Sequence, residues 1–162
     1  GEITVNGTVD PLIISVTHPM TADYAIDPND GIYGSFVAPD IQIQNNTKVP
    51  INVSIKSMEA TTGGDITFTD VAPDSKDWKN LNAEDSKKYI SLGLGINSEQ
   101  TDKGWSEGYN SNVFYSFQKG PAMMGTLPSN SIGNLSFTAK YGLAFDRACT
   151  ASHQIVFEFT LA

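Results

Sequence analysis

Hydrophobic and polar positions alternate along much of this 162-residue chain, most clearly in "PDIQIQNNTKVPINVSIKSM", residues 39–58. Ile41 and Ile43 alternate with glutamines, and Val49, Ile51, Val53 and Ile55 repeat the pattern. Successive side chains on a strand point to opposite faces, so each run has one apolar and one wet face. Asn45-Asn46-Thr47-Lys48 between them is short, polar and turn-forming. Pro50 stands at the start of the second run, where a missing N–H is tolerated. These residues predict two half-buried strands joined by a tight connection, the building block of an antiparallel sandwich.

The same alternation recurs at Ile90, Leu92, Leu94 and Ile96, at Leu135, Phe137 and Ala139, and at Ile155, Phe157, Phe159 and Leu161. A Gly63-Gly64 turn leads into a strand predicted through Ile66, Phe68 and Val71, and "VFYSF" (113–117) and "AMMGTL" (122–127) add two more. Residues 18–34 are irregular and rich in Pro, Asp and Gly, with Tyr24 and Ile26 as expected core contacts. Asp74 to Lys88 is the helical candidate. Asp74-Ser75-Lys76-Asp77 and Asn82 with Asp85 supply caps, and Trp78 and Leu81 share a face. In all about ten strands are expected, with turn signals at the spacing of a sandwich or jelly roll. The predicted fold is all-β: a single antiparallel β-sandwich over residues 1–162, jelly-roll or immunoglobulin-like, with one or two short helical turns. Its expected core includes Ile41, Ile43, Ile51, Val53, Phe68, Leu92, Phe137 and Phe157.

The N-terminal stretch differs from the rest. "ITVNGTV" and "PLIISVT" are two extended pieces split at Asp10-Pro11. Asn6-Gly7 is a hairpin dipeptide, yet its flanks are too short for a stable hairpin. Ile3, Val5 and Val9 alternate with Glu2, Thr4 and Thr8 and give an apolar face too small to hold itself down. Residues 1–9 are therefore read as an arm donated to another copy of the chain. The expected acceptor is the edge of the C-terminal strand, through Ile155, Phe157 and Phe159. The competing reading folds the arm back as an edge strand of its own sheet.

Composition narrows the chemistry. A formal net charge of −8, with no Lys/Arg cluster, repels phosphate backbones and anionic headgroups, so no nucleic-acid partner is expected. No apolar run approaches the roughly 20 residues that span a bilayer, so no membrane insertion is expected either. Cys149 is the single cysteine, which rules out an intrachain disulfide and is read as a small buried residue. His18 and His153 lack partners at metal-ligand spacing, and Cys149 with His153 forms a poor nucleophile pair. No catalytic residue, metal or cofactor is expected. Asp27-Pro28-Asn29-Asp30-Gly31 opens like a calcium loop but has Gly31 and Ala38 at the fifth and twelfth places, and reads as a turn. Trp105, Tyr109 and Tyr115, near Asn110 and Asn112, match a carbohydrate-binding face; the alternative is that these aromatics plug one end of the sandwich. Asn6, Asn45, Asn52 and Asn134 begin glycosylation sequons.

"IQIQNNTKVPINVSI" is similar to the strand, Asn-rich turn and strand of TasA/camelysin-type matrix-fibre subunits, and "HQIVFEFTLA" resembles the last strand of WxL-type cell-wall-binding domains. The chain departs from the WxL pattern, because Trp78 and Trp105 are followed two residues later by Asn80 and Glu107. It also lacks the metal-ligand motif of a peptidase. The resemblance implies a Gram-positive surface or secreted module that is extracellular, non-catalytic and assembly-prone. The expected function is thus a structural subunit of a surface filament or matrix that polymerises with itself by strand donation. The alternative is a carbohydrate- or cell-wall-binding adhesion module.

Overall fold

In the computed structural model, which describes residues 1–62, 65–96, 104–108, 113–148 and 151–162, the two runs of residues 39–58 are strands of different sheets. In chain order the strands are β1 (Val16–Thr17), β2 (Ala25–Asp27), β3 (Ser35–Val37), β4 (Ile41–Asn45), β5 (Ile51–Thr62), β6 (Thr67–Phe68), β7 (Tyr89–Gly95), β8 (Glu107–Gly108), β9 (Val113–Tyr115), β10 (Ala122–Leu127), β11 (Ile132–Tyr141) and β12 (Ser152–Leu161). One sheet runs β1-β4-β11-β7, with β6 and β9 both on the far side of β7; the other runs β12-β5-β10-β8. All pairs are antiparallel except β6 with β7. β2 and β3 form a separate hairpin. The predicted all-β sandwich is the observed architecture.

β4 and β5 pair with other strands and not with each other, so residues 45–50 arch from one sheet to the other. The arch is held by Asn45, which is fully buried. Its Nδ2 donates to the carbonyls of Val49 (3.0 Å), Leu127 (3.1 Å) and Pro128 (3.0 Å), and its Oδ1 accepts from the Thr47 N–H (2.8 Å). A buried amide is tolerated when its donors and acceptor are all used. One side chain thus ties the arch to the turn between β10 and β11, and the Asn45 sequon lies inside the protein.

Ile43, Ile51, Val53, Ile55, Met58, Leu94, Leu127 and Leu135 are fully excluded from solvent between the sheets. Of the predicted core, Ile41, Ile43, Ile51, Val53 and Leu92 are buried, whereas Phe68, Phe137 and Phe157 are half-buried. The inward parity of β5 shifts from Ile55 to Met58 because the register against β12 slips at Lys56, a bulge that strict alternation does not anticipate.

Several expected elements are shorter. Of "PLIISVT" only Val16–Thr17 pairs, against Asn45 and Gln44. The strand predicted through Val71 ends at Phe68, with one further bond from Thr69 N–H to the Ile90 carbonyl. Pro73 then starts a 3-10 turn, Pro73–Ser75, whose N-cap is Ala72 and carries no side-chain cap. Helix α1, Ala83–Ser86, is capped by Asn82, whose side chain accepts from the Asp85 N–H at 2.8 Å. Trp78 and Leu81 share no helix; Trp78 lies in a turn and its Nε1 donates to the Pro73 carbonyl at 2.8 Å. Gly63-Gly64 and Cys149 lie outside the described residues. The Asp27–Gly31 stretch is the β2–β3 turn: Asp27 Oδ1 accepts from the Asn29 N–H, and Gly31 supplies the positive φ of 70°.

Candidate assembly surface

β12 is ten residues long and pairs with β5 along its whole length. It is the last strand of its sheet, so among the described residues no strand covers its other side. Proteins blunt such edges with prolines, lysines or a short strand. Ser152–Leu161 contains neither proline nor lysine, and its one charged residue is Glu158. Its inward side chains, Ile155, Phe157 and Phe159, are only half-buried, whereas Ile51, Val53 and Ile55 on neighbouring β5 are fully buried. The Phe157 and Phe159 rings lie 6.0 Å apart along this face.

At the opposite end of the chain, every residue from Gly1 to Ser15 is exposed and none belongs to a strand. Ile3 is 90% exposed, Val5 88% and Val9 97%, and Leu12, Ile13 and Ile14 are exposed as well. The root of this arm is nonetheless fixed. Thr47, itself buried, takes the Ser15 N–H on its Oγ1 at 3.0 Å and returns a bond to the Ser15 carbonyl at 3.2 Å. The Asn46 N–H donates to the same carbonyl, and Asn46 Nδ2 donates to Thr17 Oγ1 at 2.8 Å. The register of β1 on β4 sends residues before Ser15 past the end of β4, at the arch.

Beyond β1 the chain turns across the open side of the sandwich. His18 lies with its ring 5.8 Å from Phe157 and 6.1 Å from Phe159. Residues 18–24 then wall a cleft of about 510 Å³, with Ile41, Leu92 and Phe137 from one sheet and Ile155 and Phe157 from the other. A second cleft of about 820 Å³ adjoins it and shares Tyr24 and Ala151. His153 lines the first cleft, edge-on to Phe68 at 4.4 Å, and among the described residues neither ring nitrogen has a hydrogen-bond partner. Burial lowers its pKa from the ordinary value, favouring the neutral ring. Among the described residues the Tyr24 hydroxyl is unpaired as well, and burial raises its pKa.

Of the three aromatics of the carbohydrate reading, the two described, Trp105 and Tyr115, lie on opposite faces of one sheet. Trp105 is half-buried between the sheets, where its Nε1 donates to the Asn134 carbonyl at 3.3 Å and its indole covers Gly133 so closely that a Cβ there would collide. Tyr115 sits opposite Gly93 on the outer face of the same sheet and stacks on Phe117. Tyr109, Asn110 and Asn112 lie outside the described residues. Among the described residues no three His, Cys, Asp or Glu side chains form a metal-sized group, and no helix is long and apolar enough to cross a membrane.

What the fold and surface define is a class, a β-sandwich whose long edge strand β12 no other strand covers among the described residues, with an exposed apolar arm. No protein-family model matches this chain, and no curated protein or solved structure matches it either. Of residues 18–24, which line the cleft beside β12, the sequence reading marks only Tyr24 as a core contact, and it packs half-buried against the core; the rest carry no periodicity.

Proposed function

We propose that this chain is a non-catalytic structural subunit of an extracellular bacterial filament or matrix, assembled by donating its N-terminal arm to the β12 edge of the next copy. The observation that carries the reading is the exposure of Ile3, Val5 and Val9 at 90%, 88% and 97%, on an arm whose root is clamped. An added strand satisfies the unpaired N–H and C=O groups of an edge and buries its alternate side chains. Length supports the pairing. Residues 1–14 reach at most about 50 Å, while ten residues of β12 span about 33 Å. The arm therefore covers the edge and leaves a few residues to bridge two subunits. Because arm and edge are different surfaces, the contact is head-to-tail and propagates where its rotation does not close a ring. The resemblance to TasA/camelysin-type fibre subunits supports the location at the cell surface.

Deleting residues 1–9 tests the reading. The truncated protein should melt within a few degrees of the full chain, remain monomeric at concentrations where the full chain polymerises, and bind a synthetic peptide of the deleted residues. Unchanged polymerisation, or loss of the fold, would overturn it.

A further inference from the structure

The acceptor face of β12 is not bare in the single chain; the segment between β1 and β2 lies over it. His18 packs on Phe157 and Phe159, and Ala22 and Tyr24 line the same cleft as Ile155. Residues aligned across two neighbouring strands present their side chains on the same face. A strand added beside β12 would therefore direct half of its side chains into the space that His18, Ala22 and Tyr24 occupy. We propose that His18–Tyr24 is a strap that self-covers the acceptor face and is displaced when a neighbour's arm docks. This inference rests on the strand-donation reading above.

The strap has the marks of a displaceable cover. It forms no strand, and Pro19, Met20, Thr21 and Asp23 are exposed, Met20 at 88%. It walls an incompletely filled cleft of about 510 Å³, where the Tyr24 hydroxyl and both His153 nitrogens have no partner among the described residues. Segments with few buried contacts open at low free energy. A site that is competent in only a fraction of molecules binds with its affinity reduced by that fraction. The strap therefore sets the concentration at which subunits begin to join.

The test compares the full chain as dilute monomer and as polymer, by hydrogen exchange at residues 2–9 and by hydroxyl-radical labelling of the half-buried His18 and Tyr24 side chains. Polymerisation should slow exchange in the arm and raise labelling in the strap. His18→Ala removes two ring contacts from the strap and should lower the critical concentration roughly threefold to tenfold. Should that variant melt early, Pro19→Gly loosens the strap from an exposed position and should act in the same direction. If the arm gains protection while His18 and Tyr24 label as in the monomer, or if neither variant lowers the critical concentration, the strap is no competitor and strand donation alone stands. If the arm gains no protection on polymerisation, both readings fall.

Discussion

Ile3 and Val5 in the arm and Ile41 and Ile43 in β4 share one pattern, an aliphatic residue at every second position, and they end in opposite surroundings. The first pair is 90% and 88% exposed; the second is 5% and 0% exposed. The difference does not lie in the residues. β4 is bordered by β11 over Ile41–Gln44, and the opposite sheet closes over its apolar face. The arm, past the end of β4, is exposed and pairs with no strand among the described residues. Alternation therefore states that a segment suits a sheet, and is silent on which chain supplies that sheet.

The comparison is sharpest when one substitution is made on each side. Ile43→Ala empties a closed core position and should cost about 4 kcal/mol in urea unfolding. Ile3→Ala should change monomer stability by less than about 0.5 kcal/mol, while slowing polymerisation. If Ile3→Ala destabilises the monomer as a core change does, the arm folds on its own body and the contrast disappears.

Trp105 extends the comparison to an aromatic. Its indole covers Gly133 inside the sandwich, so Trp105→Ala should cost about 3 kcal/mol. An unchanged melting temperature together with lost retention on a glycan column would return Trp105 to the carbohydrate reading. Next in size is Asn45→Ala, which strips three carbonyls and the Thr47 N–H of their partner and should cost about 2 kcal/mol by thermal melting. Stability equal to the parent's would show that the arch does not depend on its side-chain staple.

The smallest effect concerns pH. The folded pKa of His153 lies below its ordinary value of 6.5. As pH falls through that value, the unfolded chain takes up a proton that the folded chain resists, so this group's contribution to stability declines on acidification. His153→Phe keeps the ring against Phe68 and removes the titration. Its melting temperature should fall less than the parent's between about pH 7.5 and about pH 5. Parallel curves would show that His153 is solvated when charged.

The sandwich was legible because its strands carry their faces in their residues: Ile51, Val53 and Ile55 read inward, and so do Leu92 and Leu94. The Asn82 cap and the Asp27–Gly31 turn were legible for a similar reason, since each is a local geometry. What could not be read depends on partners far along the chain. Asn45 stands in a polar stretch with every sign of a surface turn, yet contacts from residues 127–128 make it the buried centre of an arch. Lys56 looks like any outward residue, but the bulge there moves the next inward position to Met58. In the candidate assembly surface, Ile3, Val5, Val9 and the β12 aromatics were legible as apolar runs. Of residues 18–24 only Tyr24 was legible, as a core contact, because the segment packs without a repeat.

The clamp at Ser15–Thr17 also decides how the molecule would carry load. A pull on the arm enters the body along the axis of β1, in line with the strand and across its bonds to β4. Its two ladder residues, the Thr47 bonds to Ser15 and the Asn46 bonds are then strained side by side and must fail together. The root is thus a mechanical anchor for the arm, built from bonds that share one load.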